Sequence, residues 1–102
     1  MIADIYKRTK TLSQACLKIA LVLPQDKVLC NLTRNHLIDK ASEMAIKSKG
    51  LMITQNPEYF LKKLSEAKEA TDGCQYWLEL IRDENYLDSS IIDPIFAESE
   101  SI

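Results

Sequence analysis

Glycine and proline are scarce in this chain, two and three residues out of 102. Sandwiches and barrels need chain breakers at every turn, so the scarcity excludes turn-rich β architectures and favours long helices. Long apolar runs are also missing. The longest is Ile19-Ala20-Leu21-Val22-Leu23, far short of the roughly 20 residues that span a bilayer. The opening residues, Met1 to Arg8, hold no apolar stretch before a small-residue cleavage site, so no leader is read and a cytoplasmic location is expected. Histidine occurs once, at His36, which leaves too few nitrogen and sulfur ligands for a zinc site. The three cysteines, Cys16, Cys30 and Cys74, are odd in number and widely spaced, unlike a disulfide framework. They read as small buried hydrophobes with free thiols. No Gly-rich phosphate loop, G-x-S-x-G elbow or H-E-x-x-H pair is present. No cofactor, metal or small-molecule substrate is therefore expected.

The residues that are present suit one domain, residues 1–102. Apolar residues make up 46% and charged residues 27%, a globular rather than a disordered balance. The net charge of −2 conceals an asymmetry. Residues 1–78 sum to +4, while residues 79–102 carry Arg82 against seven acids and sum to −6.

Periodicity predicts three long helices and a short one. Ile2, Ile5, Thr9, Leu12, Cys16, Ile19 and Leu23 alternate spacings of three and four, which makes one packing face over about 2–23. Pro24 ends that helix, and Asp26 is the expected N-cap of the next, over about 27–52. Its stripe is Cys30, Thr33, Leu37, Ala41, Met44, Ser48 and Leu51. Asn56-Pro57 starts the third helix, over about 57–85, with a stripe from Phe60 and Leu64 to Leu78 and Ile81. Ala70, Gly73 and Trp77 form a second row beside it. A short fourth helix is predicted from about residue 90, with Pro94 in its first turn and polar residues from Glu98 that fray. The expected core is Leu12, Cys16, Ile19, Leu37, Met44, Phe60, Leu64, Ala67, Leu78 and Ile81.

Few residues point to chemistry. Asp39 with Glu43, and Glu79 with Asp83, are carboxylate pairs on one helix face and read as solvated surface. A nucleophile built from His36 with Cys30 or Cys74 is the enzymatic alternative. Basic groups at Lys7, Arg8 and Lys10, at Lys47 and Lys49, and at Lys62, Lys63 and Lys68 are candidates for phosphate contact. Trp77 and the compact apolar set Ile91, Ile92, Ile95 and Phe96 are candidates for a subunit interface.

Two stretches carry a family resemblance. One is Asn56-Pro57-Glu58-Tyr59-Phe60-Leu61-Lys62-Lys63-Leu64-Ser65-Glu66-Ala67-Lys68-Glu69-Ala70, continued by Gln75-Tyr76-Trp77-Leu78-Glu79-Leu80-Ile81. The other is the turn Leu23-Pro24-Gln25-Asp26-Lys27. From Leu12 to about Leu87 the chain resembles the four-helix bundle proteins of the 23S ribosomal RNA intervening-sequence family. The second helix departs from the family pattern at Glu43-Met44-Ala45-Ile46-Lys47 and Gly50. The resemblance implies a left-handed up-down-up-down bundle assembled as a ring-shaped homo-pentamer. Relatives that accompany diversity-generating retroelements are basic and bind nucleic acid and a reverse transcriptase, whereas this chain has a pI near 5.4.

The expected function is accordingly a non-enzymatic homo-oligomeric module, all-α, that offers a surface to RNA or to a protein partner away from any membrane. The alternative is a small cytoplasmic enzyme using Cys, His or carboxylate groups. Self-association also follows from the second apolar row of the third helix and from the fourth helix being too short to cover the seam. The charge split suits a head-to-tail contact between an acidic tail and a basic face.

Overall fold

Four helices make up the computed structural model, which describes residues 2–53 and 55–100: α1 (Ile2–Val22), α2 (Val28–Ile53), α3 (Pro57–Asp83) and α4 (Ser89–Glu100). No strand occurs among the described residues. The side chain of Ile2, the first of the predicted α1 seam, lies outside them, as do Ser101 and Ile102 of the last predicted segment.

Cross-helix contacts fix the directions. Ser13 donates to the Ala41 carbonyl at 2.9 Å and Arg34 to the Ala20 carbonyl at 2.8 Å, so α2 runs back along α1. Lys63 lies against Gly50, Lys47 pairs with Glu66, Lys40 lies against Gly73, and His36 stacks on Trp77. Numbers rise along α3 as they fall along α2, which makes that pair antiparallel too. α4 packs on α3 and, less extensively, on α1, closing a four-helix bundle.

The helix ends follow the local chemistry. Pro24 has no N–H, so the Ala20 carbonyl loses the donor that would continue α1. Arg34 of α2 replaces it: Nε reaches Ala20 O at 2.8 Å, and one terminal nitrogen reaches Leu23 O at 2.8 Å and Pro24 O at 3.1 Å. A guanidinium at a helix C-terminus also meets the negative end of the helix dipole. Asp26 does not cap α2. That helix starts at Val28, with the Lys27 carbonyl accepting the Asn31 N–H. Gly50 lies inside α2. Asn56 caps α3 as expected, its Oδ1 accepting from the N–H groups of Glu58 and Tyr59. Asn85 takes left-handed geometry (φ 55°) just beyond α3. Asp88 starts α4, its carboxylate accepting the Ser90 N–H at 2.9 Å, so Pro94 falls beyond the first turn. The hydrogen bond from Ser90 holds the Asp88 carboxyl below its usual range. The helix continues through Glu98 to Glu100, and Ser99 is buried.

Leu12, Cys16, Ile19, Leu37, Met44, Cys74, Leu78, Ile81 and Ile92 form one continuous core. Three expected members are not in it: Leu64 is 39% exposed, Phe60 is partly exposed, and Ala67 is buried but outside the cluster. Phe60 and Leu64 lie in the first turns of α3. The 12 residues of α4 reach about 18 Å, and the 27 of α3 about 40 Å, at 1.5 Å per residue. The second row of α3 meets its own chain: Ala70 is buried, Gly73 faces the Lys40 stem, and Trp77 lies under His36.

Candidate interaction surfaces

The basic candidates divide by what they meet. Lys7 and Lys10 are exposed on α1, while Arg8 between them reaches Glu98 of α4 at 3.2 Å. Lys47 meets the Glu66 carboxylate at 2.7 Å across α2 and α3, and Lys63 adds to it at 3.7 Å. These contacts raise Lys47 and lower Glu66 relative to their usual values, with the hydrogen bond between them the largest cause. Lys63 also lies over the Tyr59 ring at 5.1 Å. Lys49, Lys62 and Lys68 are exposed. Three of the candidates thus already face a carboxylate, and the charge of the others stands among acids on the same helices.

Part of the acidic tail is likewise engaged within the chain. Glu98 pairs with Arg8, and Asp93 faces Arg82 at 3.6 Å. Arg82 lies over the Phe96 ring at 4.9 Å. Of the four apolar interface candidates in α4, only Ile91 is exposed. Ile92 is fully buried in this chain's core, and Ile95 and Phe96 pack against it. The set proposed from sequence to cover a neighbour mostly covers α1 and α3 instead.

The exposed apolar surface lies elsewhere. Leu21 and Val22 at the end of α1, and Val28, Leu29 and Leu32 at the start of α2, are exposed at one end of the bundle, Val28 by 83% and Leu21 by 71%. Ile46, Met52 and Ile53 continue α2 at the other end, beside Tyr59 and Leu61 of α3. Helix α2 thus has a buried stripe inward and a second apolar set outward, with the polar residues Asn35, His36, Asp39 and Glu43 between its two ends. The sequence signal was available. Leu29, Leu32, Ile46 and Ile53 fall outside the Cys30–Leu51 stripe, and their presence is why α2 looks weakly amphipathic.

The groups weighed for catalysis are dispersed. His36 is stacked on Trp77, ring centroids 4.5 Å apart and 5° from parallel, with Tyr76 edge-on to Trp77. All three cysteines are free and buried. The Cys74 thiol lies against that of Cys16, and that contact with burial pushes its pKa up, the opposite of nucleophile activation. Asp39 is exposed, Glu43 faces Lys40 at 3.6 Å, and Asp83 faces Arg82 at 3.8 Å. Among the described residues no three His, Cys, Asp or Glu side chains converge as a metal site, and no helix is long and apolar enough to cross a membrane. No family model, curated protein or solved structure matches this chain.

Proposed function

We propose that this chain is a non-enzymatic helical assembly module: it self-associates, and the assembly offers a surface to an RNA or protein partner. One observation carries the reading. Large apolar side chains stand exposed at both ends of α2 and on the helices that adjoin it. Scattered exposed leucines are ordinary on a monomer, but several such residues sharing one end of a small bundle form a surface that association covers. The resemblance to the 23S ribosomal RNA intervening-sequence proteins supports a ring of five copies and a cytoplasmic setting. The contact proposed here is made by α2 and the end of α1; in the acidic tail, Asp93 and Glu98 already face Arg82 and Arg8 of the same chain.

Light scattering on the chain as it elutes from a sizing column, at micromolar concentration, tests this. An oligomer, five-fold in the sharpest form of the reading, is the expected result. A monomer would overturn it. An RNA gel shift across a salt series on the same sample then separates the partners: retention that weakens steeply with salt marks RNA, since phosphate contacts release counterions.

A further inference from the structure

The groove that α4 occupies does not end with α4. Beside its last turn, at Ser99 and Glu100, lies a cleft of about 430 Å³, inside the range of sites that hold small ligands. Its walls come from α1 and α3 and its floor from α2. Ile5, Leu51, Leu64 and Ala67 supply the apolar surface. Three features go beyond a gap in packing. Ser48, on the floor, is 1% exposed, and its hydroxyl meets no hydrogen-bond partner among the described residues. The neighbouring Thr9 and Thr71 hydroxyls, by contrast, donate to carbonyls of their own helices. At the rim stand the carboxylates of Asp72 and Glu100 and the single ammonium of Lys68, with no ion pair among them.

We propose that this cleft binds a compact apolar amine: a hydrocarbon body against Ile5, Leu51, Leu64 and Ala67, and a cationic nitrogen toward Asp72 and Glu100. The apolar walls select the body, because removing hydrocarbon from water is the main driving force for entering such a site. The rim selects the head. Two carboxylates against one ammonium leave a net negative edge, which favours a cation over a neutral or anionic head of the same size. The Ser48 hydroxyl supplies a hydrogen-bonding group at the deep end. Self-association through the outer face of α2 leaves these residues untouched, so the inference is independent of the proposed function.

Methyl-labelled protein, observed by NMR as the full chain, tests it with three probes that differ only in the head: cyclohexylmethylamine, cyclohexylmethanol and cyclohexanecarboxylate. The amine is expected to shift the methyl signals of Ile5, Leu51 and Leu64, and to bind about fivefold tighter than the alcohol, the value of one charge contact at about 4 Å in water. The carboxylate is expected to be the weakest. Asp72→Asn with Glu100→Gln alters two exposed side chains that hold no part of the core. That variant should keep the fold and the alcohol affinity and lose the preference for the amine. Absence of shifts at the three methyl positions with every probe would overturn the proposal. So would a carboxylate that binds as well as the amine, or a preference unchanged in the double variant.

Discussion

The half of the bundle covered by α4 and the half beyond its end differ in what they bury. In the covered half, Leu12, Ile19, Leu37, Leu78, Ile81 and Ile92 interdigitate and are almost wholly shielded. In the open half, Thr9, Ser48, Ala67 and Thr71 take the equivalent inward positions. Small and hydroxylated side chains leave room around the cleft, and the threonines tolerate burial by bonding backward to their own helices. The heptad spacing is the same in both halves. What differs is the number of large buried side chains: around the cleft Leu51 alone is large and fully buried among the described lining residues.

Leucines of α3 test the contrast most strongly. Leu78→Ala should cost about 2–5 kcal/mol, as expected for a large side chain removed from a packed core. Leu64→Ala, in the open half, should cost less than about 1 kcal/mol, since a residue 39% exposed leaves no enclosed cavity. Equal losses in urea titrations would erase the distinction between the halves. Arg34→Ala comes next. It strips the Ala20, Leu23 and Pro24 carbonyls of their donor and should cost about 1.5–3 kcal/mol, the range for hydrogen bonds to a charged group. A loss within error would mean that water serves the end of α1 equally well.

Smaller effects sharpen the same picture. Gly50→Ala should stabilise the chain by about 0.5–1 kcal/mol. Its new methyl would meet only the Lys63 stem, at 3.6 Å, an ordinary contact in the loosely packed half. Destabilisation would show that α2 and α3 are closer there than the cleft implies. In the covered half, burial raises Tyr86, and contact with Cys16 together with burial raises Cys74. A folded state that holds a proton more tightly than the unfolded one keeps its full advantage below the ordinary pKa and loses it as pH rises above it. Stability should therefore be level from neutral pH to about 9 and fall beyond it, as the ordinary thiol value of 9.0 and phenol value of 10.0 are passed. A denaturation midpoint that holds steady to pH 11 would contradict this.

Helix number and limits were legible because Pro24, Asn56-Pro57 and Asn85 punctuate the chain and the 3–4 spacing runs unbroken between them. Which inward residues are buried was legible only in part. Phe60 and Leu64 continue the stripe of Leu78 and Ile81, and nothing in a single helix tells where its neighbour ends. The Arg34 cap was not legible, because it joins residues 14 apart in sequence through a turn whose geometry the spacing does not fix. The surface was read least well. Ile92, Ile95 and Phe96 looked like a sticky patch on a short helix but close the core, while Leu29, Leu32, Ile46 and Ile53 blurred the pattern of α2 and prove to be the exposed set.

That exposed set carries the central claim, and two paired variants interrogate its ends separately. Sedimentation velocity on Leu29→Glu with Leu32→Glu, and on Ile46→Glu with Ile53→Glu, beside the unaltered chain, is the most direct measurement. All four side chains are exposed, so each variant should fold with the helix content of the original. The account predicts an oligomer for the unaltered chain and dissociation by at least the first pair, since two carboxylates buried without partners cost several kcal/mol. An oligomer of unchanged size in both variants, or a monomer before any substitution, would contradict it.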